Sequence, residues 1–159
     1  DTTLYDKEGY YDAYERTAEG ISAQLAAHPS VQMVIDVHRD AIADENGDEL
    51  AVMTTLNGEQ AARLLLVMGT DTAGLTHPNW RENLSFALQL QALCEKDAPE
   101  LFRQMSLRSE RYNEHLTPHS VLLEVGAAGN TLRQALRSVE FFADELAELL
   151  TAASATPRA

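Results

Sequence analysis

The chain has 159 residues, enough for one domain with its own apolar core. Its 45% hydrophobic and 23% charged residues are typical of ordinary globular domains. The net charge of −13, from 25 acidic and 12 scattered basic side chains, argues against binding to nucleic acid or to an anionic membrane surface, since both need a basic patch. No apolar run is long enough to span a bilayer, and no signal peptide is visible.

The chain begins with a helical pattern followed by a strand. From about Tyr10 to Ala27, apolar residues recur at three- and four-residue spacing, which predicts an amphipathic helix that ends before Pro29. Residues 31–37 are rich in β-branched side chains and almost continuously apolar. Such a run predicts a strand that is covered on both faces.

Two turn signals come next. Asn46-Gly47 and Asn57-Gly58 are both dipeptides that favour tight turns. We therefore predict a meander, in which a strand at residues 50–56 pairs across the second turn with a returning strand at residues 62–68.

The middle of the chain contains a second helix, predicted from about Asn79 to Glu95 and ended by Pro99. Cys94, the only cysteine, lies on its apolar stripe, so no internal disulfide can form and we expect a buried structural thiol. Residues 103–108 are predicted to hold a short strand.

The last part of the chain repeats the order of strand and helix. Val121–Val125 is deeply apolar and predicts a second buried strand, after which two glycines break the chain. The final helix is predicted from Thr131 to Leu150, with Asn130 as its cap. These elements predict one α/β domain with a mixed central sheet and helices on both faces. We assign residues 1–150 to the domain and residues 151–159 to a disordered tail.

Charged residues follow both buried strands. His38 ends the first strand and Glu124 lies near the end of the second. At the carboxyl ends of adjacent parallel strands they would face the crevice where open α/β sheets bind ligands. An imidazole that coordinates zinc and a carboxylate that takes a proton from the metal-bound water are the minimum for metal-assisted hydrolysis.

Other interpretations of these residues stay open. A single histidine at a strand end is more often a satisfied or solvated side chain than a metal ligand. Glu124 could form an ion pair with Arg39 or Arg133 instead. Asp36 and Asp40 alternate with His38 and either orient its ring or serve as turn and pairing residues.

Loops add further candidates. His77 precedes a proline in a long loop, and we expect it to be exposed there, where binding residues concentrate. Arg111, Tyr112 and Asn113 combine a base, an aromatic ring and an amide that could line a sugar or peptide groove, although a surface turn is an equal alternative. The remaining histidines are predicted to be solvated: His28, His115 and His119.

Several motifs in one order resemble the stage II sporulation protein P family, which is itself similar to the zinc-dependent N-acetylmuramoyl-L-alanine amidases. The resemblance covers the chain from about Tyr10 to Leu149. The motifs are Val-Ile-Asp-Val-His-Arg-Asp-Ala (34–41), Val-Met-Gly-Thr-Asp (67–71), His-Pro-Asn-Trp (77–80) with Glu-Asn-Leu (82–84), Arg-Tyr-Asn (111–113), and Leu-Leu-Glu-Val-Gly (122–126) with Gly-Asn-Thr (129–131).

The resemblance implies roles for particular residues. His38 matches the last metal-ligand histidine of the family pattern, and Glu124 matches the glutamate that acts as general acid and base on the metal-bound water. Arg39 and Asp40 would lie beside the metal. With His77, Arg111 and Asn113 they are candidates for orienting the ligands or binding substrate.

The resemblance also implies a function. Family members cut the bond between muramic acid and L-alanine, and also peptide cross-links, during spore engulfment, beside the lytic transglycosylase stage II sporulation protein D. We therefore expect a zinc-dependent peptidoglycan hydrolase, extracytoplasmic and membrane-anchored in its full-length form.

One departure from the pattern is important. The family's earlier ligands precede the part that matches Asp1, so we expect the N-terminal portion of the catalytic domain to be missing here. A cell-wall or partner-binding module with the same fold and no activity is therefore the alternative function. A metal hydrolase acting on another small amide is a third.

Overall fold

The computed structural model describes residues 3–5, 7, 9 and 12–155. Tyr10, where the first helix is predicted to begin, lies outside these residues. In chain order the elements are α1 (Ala13–Ala27), β1 (Val34–Asp40), β2 (Met53–Leu56), β3 (Glu59–Ala62), β4 (Leu64–Gly69), α2 (Trp80–Asp97), β5 (Ser106–Arg108), a short 3-10 helix (Glu114–Leu116), β6 (Ser120–Ala127) and α3 (Leu132–Ala155).

The centre of the described chain is a mixed four-stranded sheet with the order β1-β6-β4-β5. β1 runs parallel to β6, and β4 runs antiparallel to β6 and parallel to β5. The two apolar segments that the sequence predicts as buried strands, β1 and β6, are therefore neighbours. Burial is confirmed for β6, but the prediction is wrong for β1, which is an edge strand with no fully buried residue. The predicted α/β fold class with a mixed sheet is confirmed.

The main core lies between this sheet and two helices, α2 and α3. Alternate side chains of β4 and β6 point into it, because successive residues of a strand face opposite sides. The buried side chains from the strands and helices include Leu64, Leu66, Met68, Leu123, Phe86, Leu90 and Phe142. Each such side chain stabilises the fold by roughly 1.5–3 kcal/mol through burial alone. Cys94 is buried in the same cluster, and burial raises the pKa of its thiol to about 12, as expected for a structural thiol.

The opposite face of the sheet carries a smaller apolar cluster and the first helix. Leu65, Val67 and Leu122 pack there, with Tyr112 against them. α1 lies toward this side, where the ring of Tyr14 stacks on a histidine of β1. This second face is thus only partly filled by apolar side chains, which leaves room for polar groups.

The second turn signal forms the predicted hairpin, but with a different returning strand. Asn57 and Gly58 have φ angles of 51° and 81°, as a tight hairpin turn requires, and β2 pairs with β3 across them. The prediction of one returning strand at residues 62–68 is wrong. The apolar run is divided at Arg63, and the part after it, β4, joins the main sheet instead.

The start of α3 also differs from the prediction. Thr131 and Gln134 form a reciprocal capping box, in which the Gln134 N–H donates to Thr131 Oγ1 at 3.3 Å and the Thr131 N–H donates to Gln134 Oε1 at 2.9 Å. Asn130, the predicted cap, does not cap α3 but binds backbone groups of other segments. Its Oδ1 accepts hydrogen bonds from the Val52 and Ala127 N–H groups at 3.0 and 2.8 Å.

α3 continues to Ala155, beyond its predicted end at Leu150. Residues 151–155 of the predicted disordered tail are therefore helical, and residues 156–159 lie outside the described part of the chain. Among the described helices, none is long and apolar enough to cross a membrane.

Gly126 is expected to be intolerant of substitution. Its φ is +70°, and an added Cβ would lie 2.7 Å from Asn130 Oδ1 and 2.9 Å from the Ala62 Cβ. Gly47 has a similar φ of +87° with nothing within 4 Å, so it serves as a matched control for backbone strain. We expect Gly47→Ala to lower the free energy of unfolding in urea by about 1 kcal/mol, and Gly126→Ala by clearly more. Equal losses would show that the close packing around Gly126 contributes nothing.

Candidate functional site

His38 and Glu124 lie side by side on the sheet face opposite the α2–α3 core. They are direct register partners in the parallel ladder between β1 and β6, so their side chains project from the same face. The register shifts between His38 and Asp40, which marks an irregularity at the end of β1. The predicted meeting of these two side chains at adjacent parallel strands is what the structure shows.

The ring of His38 is oriented by two neighbours. Its Nε2 lies 3.0 Å from Asp36 Oδ1, and the ring of Tyr14 stacks on it with centroids 6.3 Å apart and an interplanar angle of 14°. The hydrogen bond with Asp36 raises the pKa of His38, and burial partly opposes this effect. A neutral ring that donates its Nε2 proton to Asp36 keeps its lone pair on Nδ1.

The carboxyl group of Glu124 is half-buried. Its Oε2 is buried and has no hydrogen-bond partner among the described residues. Burial raises the pKa of Glu124, while the neighbouring charge of His38 and that of Arg103 act in the opposite direction. A carboxyl group poised in this way exchanges protons more readily near neutral pH than an exposed glutamate does.

The other charged residues of the first motif are engaged in structural contacts. Asp40 pairs with Arg103, whose Nη1 lies 2.6 Å from Asp40 Oδ2. The Arg39 guanidinium donates from Nη2 to the Asn130 carbonyl at 2.7 Å. Arg39 thus holds a turn, and the alternative ion pair between Arg39 and Glu124 is not the arrangement observed.

The Arg-Tyr-Asn segment (residues 111–113) packs against the same face of the sheet as Tyr14. Asn113 donates from Nδ2 to the Tyr14 carbonyl at 2.7 Å, and Arg111 donates from Nη1 to the Thr76 carbonyl at 2.9 Å. The ring of Tyr112 meets that of Tyr14 edge-on, with centroids 5.8 Å apart. Asn113 and Arg111 therefore hold neighbouring segments in place.

His77 does not lie exposed on its loop, so that prediction is wrong. Only 2% of it is accessible, and its Nε2 lies 3.9 Å from Oε2 of the buried Glu114. Burial lowers the pKa of His77 and raises that of Glu114 to about 8, so near neutral pH both side chains are largely uncharged. A neutral pair is the state that costs least in this interior.

The three histidines predicted to be solvated have different surroundings. His28 is exposed as predicted. His115 is partly buried, and its ring meets that of His77 edge-on with centroids 6.3 Å apart. His119 packs on Phe86 with centroids 5.3 Å apart. The prediction is therefore wrong for His115 and incomplete for His119.

The fit of a metal to these residues is partial. A catalytic zinc site needs about three protein ligands. The described residues contain no group of three His, Cys, Asp or Glu side chains that could hold a metal ion. On the face near His38 they offer one imidazole, whose Nε2 is engaged by Asp36. By themselves these residues do not form a catalytic zinc site.

Comparison with known proteins agrees with the motifs. The model of the stage II sporulation protein P (SpoIIP) family matches residues 1–147. The chain belongs to this family. Stage II sporulation protein P of Bacillus subtilis (strain 168) is 28% identical over 145 residues, which cover 88% of this chain and 34% of that relative. The chain thus spans about a third of the length of this curated relative. No solved structure gives a significant match.

Three residues of this candidate site were not singled out from the sequence as site residues: Tyr14, Arg103 and Glu114. Tyr14 is one of several apolar residues on the stripe of α1, and Arg103 looks like an ordinary charge before a short strand. Glu114 directly follows the Arg-Tyr-Asn motif, which was the one available signal. Each acquires its place through contacts that are distant along the chain.

The hydrogen bond from His38 to Asp36 has a measurable consequence. Because Asp36 is the largest cause that raises the pKa of His38, we expect Asp36→Asn to lower that pKa toward the ordinary histidine value. NMR titration of the His38 ring in the wild type and the variant measures the change. Glu82→Gln, an exposed change beside His119, is the matched control. An unchanged pKa of His38 would mean that Asp36 does not orient the ring in solution.

Glu114 is expected to make stability depend on pH. Its folded pKa of about 8 exceeds the ordinary glutamate pKa of 4.5, so the folded state binds more protons between these values. The contribution of Glu114 protonation to the free energy of unfolding is therefore fully present below about pH 4.5 and is lost as the pH rises through about 8. We expect the wild type to lose more free energy of unfolding between pH 5 and pH 8 than Glu114→Gln does, by up to a few kcal/mol.

Urea denaturation of both proteins at the two pH values measures this difference. Glu148→Gln, an exposed change on α3, is the control and should retain the wild-type pH dependence. If Glu114→Gln also retains it, the Glu114 carboxyl is already ionised in the folded state.

Proposed function

We propose that this chain is the Glu124-bearing part of a peptidoglycan hydrolase that remodels the cell wall during spore engulfment. The reaction is hydrolysis of the amide between N-acetylmuramic acid and L-alanine, and we extend it to peptide cross-links. The main support for this proposal is the position of the Glu124 carboxyl. Its Oε2 is buried without a hydrogen-bond partner among the described residues, and Glu124 lies in register with His38. The family name supports the role in sporulation.

The residues of the face suit amide hydrolysis in the following way. Glu124 accepts a proton from the water that attacks the carbonyl carbon, and later donates it to the nitrogen of the leaving amine as the C–N bond breaks. Burial raises the pKa of Glu124, which brings it closer to the neutral range where a carboxyl group both accepts and donates a proton. Asp36 and Tyr14 keep the His38 ring in one orientation beside it.

Zinc is part of the proposal as the cofactor of the whole protein. It would polarise the scissile carbonyl and activate the water when bound. His38 is the residue of this chain that we assign as a ligand, with the lone pair of its neutral ring on Nδ1. Since the described residues offer no group of three, we place the other ligands elsewhere in the longer protein. We likewise propose an extracytoplasmic, membrane-anchored whole protein that works beside stage II sporulation protein D.

A binding module without activity is the second candidate function. It is favoured by one observation, the absence of a three-ligand group among the described residues. It differs from the first candidate in a simple way, because binding to the cell wall would then be independent of Glu124 and of chelators.

Replacing Glu124 tests the hydrolase. In the full-length protein, Glu124→Gln keeps the shape of the side chain but removes the proton acceptor, so we expect release of fragments from purified sacculi to fall by about 10²- to 10⁴-fold. Mass spectrometry of the released fragments measures the rate and identifies the bond that is cut. Glu148→Gln on the exposed side of α3 is the control and should retain full activity.

Two further outcomes decide the remaining points. Hydrolysis by Glu124→Gln at the wild-type rate would remove Glu124 from the mechanism, and sacculus binding without hydrolysis by the wild type would favour the binding module. Elemental analysis of the full-length protein should find about one zinc per chain, lost in His38→Ala. Full zinc content in that variant would exclude His38 as a ligand.

A further inference from the structure

A cavity of about 360 Å³ lies between α1 and the segment of residues 110–115. Its volume is within the range of small-molecule sites. Two tyrosines line it, together with polar side chains from the same two segments: Tyr14, Tyr112, Glu15, Glu110, Arg111, Asn113 and His115. The proton transfers proposed for Glu124 do not involve this cavity.

The two tyrosine rings connect the cavity to the proposed hydrolase site. Tyr14 stacks on His38 at 6.3 Å, and Tyr112 meets Tyr14 edge-on at 5.8 Å. Tyr112 also packs on Leu65 and Leu122, on the sheet face that carries Glu124. A ligand held against the two rings would therefore lie one aromatic ring away from His38.

The backbone that carries Tyr112 is held in an unfavourable conformation. Tyr112 and Asn113 have φ angles of 47° and 62°, in the left-handed region that bulky residues rarely adopt. Strain of this kind persists only where the surroundings enforce it, and it concentrates at functional sites. Here the enforcing contacts are the hydrogen bond from Asn113 to the Tyr14 carbonyl and those from the Gly69 and Leu122 N–H groups to the Glu114 carboxyl.

The charges of the cavity select the kind of ligand. Glu15 and Glu110 both line it, and Arg111, its cation, donates to the Thr76 carbonyl. The whole chain also carries a net charge of −13. A stem peptide with several carboxylates would be repelled, whereas an uncharged sugar ring can pack its C–H face on a tyrosine and place its hydroxyl groups against the polar side chains.

We propose that Tyr14 and Tyr112 form a subsite for an uncharged N-acetylated sugar ring of the glycan strand. This inference rests on the proposed peptidoglycan hydrolase, because that function supplies the glycan. The subsite holds the strand so that the amide attached to the neighbouring muramic acid reaches Glu124.

The test uses ligands that contain no bond for the enzyme to cut. The 159-residue chain, labelled with ¹⁵N, is titrated with the uncharged disaccharide of two N-acetylglucosamine rings, and separately with a free stem tripeptide. We expect the disaccharide to shift the amide signals of residue 14 and of residues 110–115, and the tripeptide to leave them unchanged.

Variants separate the rings from the backbone. Tyr112→Asn removes the ring but keeps a residue that tolerates positive φ, and Tyr14→Leu suits the helix, so both should fold. We expect each to weaken disaccharide binding by about five- to tenfold, since aromatic contacts are individually modest. Tyr112→Phe should bind like the wild type, as should Leu88→Ala, a control at an exposed position of α2.

The outcomes are distinct from those for hydrolysis. Disaccharide binding that Tyr112→Asn and Tyr14→Leu do not weaken would overturn the subsite, and so would shifts caused by the tripeptide instead or by neither ligand. If the disaccharide binds as expected but the full-length protein releases nothing from sacculi, the sugar subsite stands and the hydrolase proposal fails.

Discussion

The fold around the site depends on one buried carboxyl group, that of Glu114. The ladder between β4 and β6 ends at the pair Val67 and Leu122, and the Glu114 carboxyl enters where the strands part. One oxygen accepts the Gly69 N–H at 2.6 Å and the other the Leu122 N–H at 3.1 Å. Each N–H would otherwise be buried without a partner, at a cost of about 1–3 kcal/mol. The carboxyl group thus takes the place of the next pair of hydrogen bonds between β4 and β6. The two bonds that it accepts partly offset the cost of burying it away from water.

The same segment fixes both halves of the site. Leu122 lies two residues before Glu124 and on the same face of β6, so holding Leu122 also fixes the direction in which Glu124 points. Asn113, directly before Glu114, holds the carbonyl of Tyr14, and the ring of Tyr14 lies on His38. Residues 111–114 therefore hold Glu124, the residue we propose for acid–base chemistry, through a strand and His38 through a helix. Neither Arg111 nor Asn113 needs to touch a substrate for this.

Sequence reasoning succeeded where one chain segment determines its own state. Continuous apolar runs predicted β1 and β6, the turn at Asn57-Gly58 predicted a hairpin, and the two strand ends predicted that His38 and Glu124 would meet. It failed where a partner that is distant along the chain determines the structure of a segment. The division at Arg63 depends on the Arg63 guanidinium donating to the carbonyls of Glu100 and Phe102, and the burial of His77 depends on Glu114. A proline beside a histidine gives no sign of such a partner.

The partners on the sheet face also distinguish Glu124, to which we assign the proton transfer, from the other carboxylates of the described residues there. Asp36 is engaged by the His38 ring at 3.0 Å, and Asp40 by Arg103 at 2.6 Å. Glu124 has a buried oxygen without such a partner, so burial favours its protonated form while nearby cations favour the ionised one. Burial thus moves the pKa of Glu124 in the direction that our proposed acid–base role needs, while its neighbours are engaged elsewhere and leave its Oε2 atom without a partner.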